Sequence, residues 1–157
     1  MDALLVTFAK HSYILSVVLG LVILVLSTQR KKLAVLTIAS LPLSLIISRI
    51  ASKFIIDPRP FVVNNTTPLI PHAPDNGFPS DHTLLVATIA AIIFIYNKKW
   101  GMVLAFLAFL VGASRVYAQV HHWLDIGGSF IVALTAVYLA RILVEWANVR
   151  FNLKTPQ

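Results

Sequence analysis

Five long apolar runs divide this chain, and basic or polar residues separate them. The runs cover residues 11–28, 33–56, 83–96, 101–117 and 123–147. A helix needs about 20 predominantly apolar residues to cross a bilayer, so the pattern predicts an all-α integral membrane bundle of about five transmembrane helices. The third run is short, and we expect its helix to begin within the preceding Pro-Ser-Asp-His turn.

A proline-rich segment interrupts the pattern between the second and third runs. It holds most of the chain's prolines. Proline lacks a backbone donor and clashes with the preceding helical turn, so this segment cannot be a regular helix. A loop of this length in a compact protein is usually functional or disordered. We expect residues 1–157 to form one membrane-embedded domain, with residues 57–80 as its outer loop.

Lysine and arginine indicate the orientation, because short cytoplasmic loops are enriched in them. The basic groups at the ends of the runs are Arg30, Lys31 and Lys32, then Lys98 and Lys99, then Arg150 and Lys154. Five spans then place the N-terminus outside and the C-terminus in the cytoplasm. The proline-rich loop and the turn at 119–125 meet on the outer side of the membrane.

Composition narrows the class of protein further. Hydrophobic residues make up 58% of the chain and charged residues 12%, with a mean hydropathy of +0.83, which excludes an ordinary soluble domain. The net charge of +7 lies in short groups beside apolar runs. We therefore attribute it to membrane orientation and an anionic ligand, and not to nucleic acid. The lack of cysteine excludes disulfides, zinc-thiolate sites and thiol nucleophiles.

The predicted outer ends of the spans carry the residues that suit phosphate-ester hydrolysis. They are Lys53, Arg59, Ser80, Asp81, His82, Ser114, Arg115, His121 and Asp125. Cations hold anionic oxygens and stabilise transition-state charge, while one histidine attacks phosphorus and a second protonates the leaving oxygen. His121 and Asp125 are four residues apart, so on a helix the carboxylate could orient the imidazole.

Three stretches carry a family resemblance: DPRPF, FPSDH and SRVYAQVHHWLD. They resemble the three-part signature of the type 2 phosphatidic acid phosphatase superfamily, and PHAPDNGFPSDHT resembles its bacitracin-resistance branch of undecaprenyl-diphosphate phosphatases. The resemblance implies that His121 is the nucleophile, that Asp125 orients it and that His82 is the leaving-group acid. It places Arg59, Ser80 and Arg115 on the phosphate and implies neither a metal nor a cofactor.

Two positions depart from the family pattern. The first motif usually has a lysine seven residues before the arginine, where this chain has Ser52 and carries Lys53 one residue later. One residue turns a helical side chain by about 100°, which puts a phosphate role for Lys53 in doubt. Asp81 replaces the usual glycine of the second motif. A carboxylate there would repel phosphate, so Asp81 either meets a cation or caps the third helix.

Other polar residues have open roles. Taken singly, Ser80 or Asp81 could be a helix cap, and Arg59 or Arg115 could extend to headgroups. Ser114 is possible support for the site. His122 is assigned no role, because the motif spacing selects His121. For His72 and Asp75, loop packing is favoured over substrate contact. Arg49 lies about two turns inside the second run, where it should face the bundle interior, and either supports the site or pairs with a carboxylate.

The leading functional hypothesis is an enzyme of cell-wall lipid recycling and bacitracin resistance. It would remove the terminal phosphate of undecaprenyl diphosphate at the outer face of the cell membrane, with the prenyl tail among membrane lipids. A phosphatidylglycerophosphate or lipid A phosphatase is the alternative within the same chemistry. A non-catalytic transport or metal-binding subunit using His82, His121 and His122 is a third, which the neighbouring arginines disfavour. The oligomeric state stays open.

Overall fold

The fold, given by a computed structural model that describes residues 2–150 and their side chains from residue 6 onward, is α-helical. Lys154 and the rest of the segment beyond 150 lie outside the described residues. The helices are α1 (Asp2–Leu26), α2 (Arg30–Phe54), α3 (Pro60–Val63), α4 (Asp81–Tyr96), α5 (Lys98–Tyr117) and α6 (Trp123–Arg150).

The predicted membrane bundle is confirmed. Four helices (α1, α2, α5 and α6) are long and apolar enough to cross a membrane, and α4 is a shorter apolar helix of 16 residues. The helix α4 begins at Asp81, inside the Pro-Ser-Asp-His turn, as the sequence predicts. Both α1 and α2 begin earlier than the apolar runs: α1 includes the segment 2–10, and α2 includes the basic residues at 30–32.

The helix α4 packs against α5 and α6 and is the best-buried helix of the bundle, with buried residues that include Leu84, Val86, Ala90, Ile92 and Ile93. Small residues allow the close approach. A Cβ at Gly101 would lie only 2.4 Å from the Cα of Phe94, so this α4–α5 contact requires glycine.

The proline-rich segment folds back onto the end of α2. The side-chain amide of Asn76 donates to the carbonyls of Ser52 and Ile55 at 3.0 and 2.9 Å, and its oxygen accepts the backbone N–H of Asp57 at 2.9 Å. The Gly77 N–H donates to the Asp57 carbonyl at 2.8 Å. As predicted, the segment is not a regular helix, although it contains the single turn α3. These bonds fix the chain on both sides of Asp57 and present Arg59 to the turn before α6.

Candidate active site

His121 and Asp125 form a buried pair at the start of α6. His121 Nδ1 lies 3.1 Å from Asp125 Oδ2, and their side chains are 3% and 0% exposed. The sequence analysis assumed that both residues share a helix, but α6 begins at Trp123, so His121 precedes it. The contact survives because Asp125 Oδ2 also accepts the backbone N–H of His122 at 2.9 Å, which draws the turn onto the first turn of α6.

The hydrogen bonds of His121 fix which ring nitrogen carries the proton. The Arg59 guanidinium lies 3.3 Å from His121 Nε2, and a guanidinium can only donate. Nε2 therefore holds the lone pair, and Nδ1–H donates to Asp125. Burial lowers the pKa of His121, and the charges of Arg59 and Arg115 act in the same direction, against the hydrogen bond to Asp125. His121 thus presents a neutral, nucleophilic nitrogen.

Arg59 is held in the loop by three different partners. Its NH1 donates to the Val120 carbonyl at 2.7 Å, and its Nε donates to Asp75 Oδ1 at 2.7 Å, in addition to the contact with His121. The residue is 5% exposed. An arginine that only reached lipid headgroups would not be buried in this way, so the headgroup alternative does not describe Arg59.

His82 has an equivalent arginine neighbour. Arg115 NH2 lies 3.2 Å from His82 Nδ1, so this nitrogen accepts and the neutral ring carries its proton on Nε2. Arg115 is 4% exposed, and its NH1 donates to the Ala9 carbonyl of α1 at 3.2 Å. The ring of Tyr13, also on α1, meets the His82 ring edge-on with centroids 4.5 Å apart. His121 and His82 therefore each have an arginine at the nitrogen that carries the lone pair.

Both histidines open into one cavity of about 310 Å³. Four segments contribute to it: the C-terminal end of α2, the proline-rich loop, the start of α4 and the turn before α6. The lining residues are Ser48, Arg49, Ser52, Arg59, His72, Asp75, Asn76, Phe78, Pro79, Asp81, His82 and His121. The structure thus brings together segments that are distant in sequence, as their grouping on one side of the membrane predicts.

Some predicted site residues lie away from this cavity. Lys53 is exposed and is not among the described residues that line the cavity. Its neighbour Ser52 does line the cavity. Ser114 donates its hydroxyl to the Val111 carbonyl of its own helix at 2.6 Å. Ser80 is fully buried and its hydroxyl accepts a hydrogen bond from Thr83 at 3.1 Å. Arg115 reaches the site through His82.

Asp81 meets a cation, which is one of the two roles expected for it. Its Oδ2 lies 3.9 Å from Arg49 NH2, and the two side chains are 58% and 70% exposed. The expectation that Arg49 faces the bundle interior is wrong. Arg49 lies close to the end of α2 at Phe54, so its side chain reaches the mouth of the cavity and does not need a buried partner.

Three contacts at the site were missed by the sequence analysis. The ring of His72 meets that of His121 with centroids 6.1 Å apart, and Tyr13 contacts His82 from α1. His122 Nδ1 lies 3.0 Å from Asp57 Oδ1. Asp57 and His72 lie in stretches that carry the family resemblance, DPRPF and PHAPDNGFPSDHT, but the resemblance assigned them no role. No motif pointed to Tyr13.

Asp57, His122 and Asp125 offer three ligand-type atoms within 4.8 Å of one another. Their mutual contacts account for this proximity. Asp125 Oδ2 already accepts two hydrogen bonds, and Asp57 is paired with His122. The arrangement matches a histidine–carboxylate network more closely than an oxygen-rich cation site.

Comparison with known proteins points to one family. The family model described as PAP2 superfamily matches residues 34–148, which contain every motif residue discussed above. A bacitracin transport permease protein BcrC from Bacillus licheniformis is 34% identical over 77% of this chain and 62% of its own length. An undecaprenyl-diphosphatase BcrC from Bacillus subtilis (strain 168) is 37% identical over 60% of this chain and 49% of its own length. The chain thus spans about half to three fifths of these relatives.

A solved structure has the same architecture. The crystal structure of Aquifex aeolicus LpxE superimposes with a TM-score of 0.72 and 25% sequence identity, covering 87% of this chain and 85% of that chain. The agreement extends over most of both chains.

Proposed function

This chain belongs to the PAP2 superfamily, and on that premise we propose that it is a membrane lipid phosphatase that hydrolyses undecaprenyl diphosphate to undecaprenyl phosphate and phosphate. The observation that carries the proposal is the pairing of two cavity histidines with buried arginines, His121 with Arg59 and His82 with Arg115. The name of the Bacillus subtilis relative supports the choice of substrate.

In the first step, the terminal phosphoryl group enters the cavity and draws both guanidinium groups onto its oxygens. Charge-assisted bonds to phosphate are stronger than bonds to a neutral imidazole, so the arginines leave the histidine lone pairs. His121 Nε2 then attacks phosphorus. The bond from phosphorus to the bridging oxygen breaks, and its electrons leave with undecaprenyl phosphate while Asp125 stabilises the charged imidazole.

In the second step, water hydrolyses the phosphohistidine. His82 Nδ1, freed from Arg115, accepts a proton from the water as it attacks phosphorus, and the P–N bond breaks to return neutral His121 and inorganic phosphate. When a leaving oxygen needs a proton, a protonated His82 donates it in the first step. The ring then takes a proton back from water in the second step. His82 therefore acts as acid and base in turn, as its place in the same cavity allows.

The lipid tail stays in the membrane throughout this reaction. Each CH₂ buried in hydrocarbon is worth about 0.8 kcal/mol, so a long prenyl chain cannot be withdrawn into water. Arg49 and Asp81 mark a mouth between the outer ends of α2 and α4, and through it we expect the diphosphate to enter sideways. The positions of the basic residues support an extracytoplasmic site at this end of the bundle.

A non-catalytic transport module remains the second candidate, since one relative carries the name of a transport permease. Phosphate release from undecaprenyl diphosphate by the detergent-purified protein in EDTA separates the two functions. We expect turnover in wild type and none in His121→Ala, with the exposed-residue variant His11→Gln as a matched control that keeps full activity. Binding of the lipid without phosphate release would favour the transport module.

The choice of lipid needs its own comparison. We expect kcat/KM for undecaprenyl diphosphate to exceed that for a short-chain prenyl diphosphate and for phosphatidylglycerophosphate, all in matched detergent. Equal values for the three lipids would leave a general lipid phosphatase. A higher value for phosphatidylglycerophosphate would favour the alternative within the same chemistry.

A further inference from the structure

Two short segments contact each other beside the proposed nucleophile, His121. The first runs from Asp57 to Arg59, and the second is the turn from Val120 to His122. Arg59 contacts the Val120 carbonyl and His121 Nε2 at 2.7 and 3.3 Å, and Asp57 Oδ1 lies 3.0 Å from His122 Nδ1. Asp57 and Arg59 thus contact three consecutive residues of the turn. Pro58, which lies between them, restricts the backbone through its fixed φ.

The backbone of Asp57 is fixed before its side chain makes any contact. Its N–H donates to the Asn76 side chain at 2.9 Å, and its carbonyl accepts the Gly77 N–H at 2.8 Å. The Asp57 side chain is 17% exposed and that of His122 is 39% exposed. A pair anchored in this way is more ordered than an ordinary surface ion pair, because little additional chain entropy is lost in forming it.

The contact between Asp57 and His122 is electrostatic in character. Their atoms are close enough for an ion pair, yet within residues 2–150 His122 Nδ1 has no aligned hydrogen bond. Burial raises the pKa of Asp57, the charge of Asp125 raises it further, and His122 opposes both effects. The two side chains, 3.0 Å apart, therefore compensate one another.

This mutual compensation matters because Asp125 is adjacent. Asp125 Oδ2 serves His121 Nδ1 and the His122 amide, while Oδ1 has no hydrogen-bond partner in the described part of the chain. An uncompensated Asp57 carboxylate would repel Asp125, and an uncompensated His122 imidazole would compete with His121 for it. Either change would pull Asp125 out of line with the nucleophile.

We propose that Asp57 and His122 are a positioning pair that keeps Asp125 bonded to His121, a role that rests on the proposed function and extends it to two residues to which the family resemblance assigns no role. Neither residue touches the phosphate. Arg59 holds the turn before α6 through the Val120 carbonyl, and the compensated pair beside it leaves Asp125 on His121, so that Nε2 of His121 and the guanidinium of Arg59 meet the same phosphoryl group.

A double-mutant cycle tests this inference, with Asp57→Asn, His122→Gln and the combined variant. We expect each single substitution to lower kcat by about tenfold with little change in KM, because alignment of the nucleophile affects the chemical step more than lipid binding. The combined variant should recover most of the lost kcat, since it leaves neither an unpaired carboxylate nor a competing imidazole. Glu145→Gln on α6 and His11→Gln on α1 are the matched controls, and both should keep wild-type kcat.

Rescue is the deciding readout, because a merely structural role would not produce it. If the combined variant lost as much activity as the product of the two single losses, or if all three kept wild-type kcat, the positioning pair would be wrong. His121→Ala in the same assay separates this failure from that of the proposed function. An active His121→Ala variant would overturn the proposed function. An inactive His121→Ala variant, together with additive losses in the double-mutant cycle, would overturn only the proposed role of Asp57 and His122.

Discussion

The guanidinium of Arg59 lies 3.3 Å from Nε2 of His121, the ring nitrogen that is not bonded to Asp125. Arg115 stands in the same relation to Nδ1 of His82. Each arginine therefore occupies a lone pair that the proposed reaction uses. Phosphate has to recruit the arginines in order to release the histidines, which links substrate binding to the appearance of both reactive nitrogens.

The two arginines should be more than phosphate ligands. Arg59→Lys keeps the charge but loses the planar fork that reaches Asp75, the Val120 carbonyl and His121 together. We expect kcat/KM to fall by about 100-fold, the scale seen when one transition-state donor is removed. Steady-state kinetics measure this. Lys53→Ala is the control, since Lys53 lies outside the cavity lining, and a large loss in that variant would return Lys53 to the site.

His82 should matter most when the leaving group is poor. We expect His82→Ala to lower kcat/KM strongly with an alkyl phosphate, whose leaving oxygen needs a proton, and much less with an aryl phosphate of low leaving-group pKa. The slope of log kcat/KM, which reports the first chemical step, against leaving-group pKa should become steeper in the variant. Parallel slopes for wild type and variant would contradict the role of His82 as acid.

The lowered pKa of His121 sets an expectation for acid pH. Because the folded protein binds this proton more weakly than the unfolded chain, with its ordinary value near 6.5, stability should fall as pH drops through that value. Activity should persist just below pH 6.5, since the folded imidazole is still neutral there. Thermal unfolding and kcat/KM measured between pH 5 and 7 check both parts. In His121→Gln this contribution to the pH dependence of unfolding should disappear.

The orientation of the bundle is open to direct labelling, because the chain has no cysteine of its own. Asn65→Cys, in the proline-rich loop, should react with an impermeant maleimide in intact cells, whereas Lys31→Cys, at the start of α2, should react only after the membrane is opened. Labelling of Asn65→Cys only after opening would reverse the proposed topology and place the cavity at the cytoplasmic face.

The helical spans and the motif residues of the candidate site could be predicted from the sequence for physical reasons. A helix that crosses the hydrocarbon core of a membrane must be long and apolar, so each span is recognisable as an apolar run in the sequence. The four-residue spacing of His121 and Asp125 places them about one helical turn apart. The start of α4 at Asp81 followed from the length of the third run. Motif residues could therefore be located before any contact was known.

The remaining contacts depend on how distant segments meet, and no local pattern encodes that. Tyr13 reaches His82 from α1, far outside the motifs. His122 was set aside because the motif spacing selects its neighbour, yet the fold of the proline-rich loop brings Asp57 to it. Arg49 was expected to face the bundle interior because its distance from the end of the helix was counted to residue 56, where the apolar run ends. The helix α2 ends earlier, at Phe54, and the Arg49 side chain is exposed.

The most direct test of the account is to trap the phosphorylated enzyme. Wild-type protein is mixed with undecaprenyl diphosphate labelled in its terminal phosphate, quenched in alkali within the first turnover, digested and mapped by mass spectrometry. We predict an acid-labile phosphoryl group on His121, absent from His121→Ala and accumulating in a variant such as His82→Ala that is slow to hydrolyse it. Turnover with no label on His121, or a label that persists in His121→Ala, would contradict the central claim.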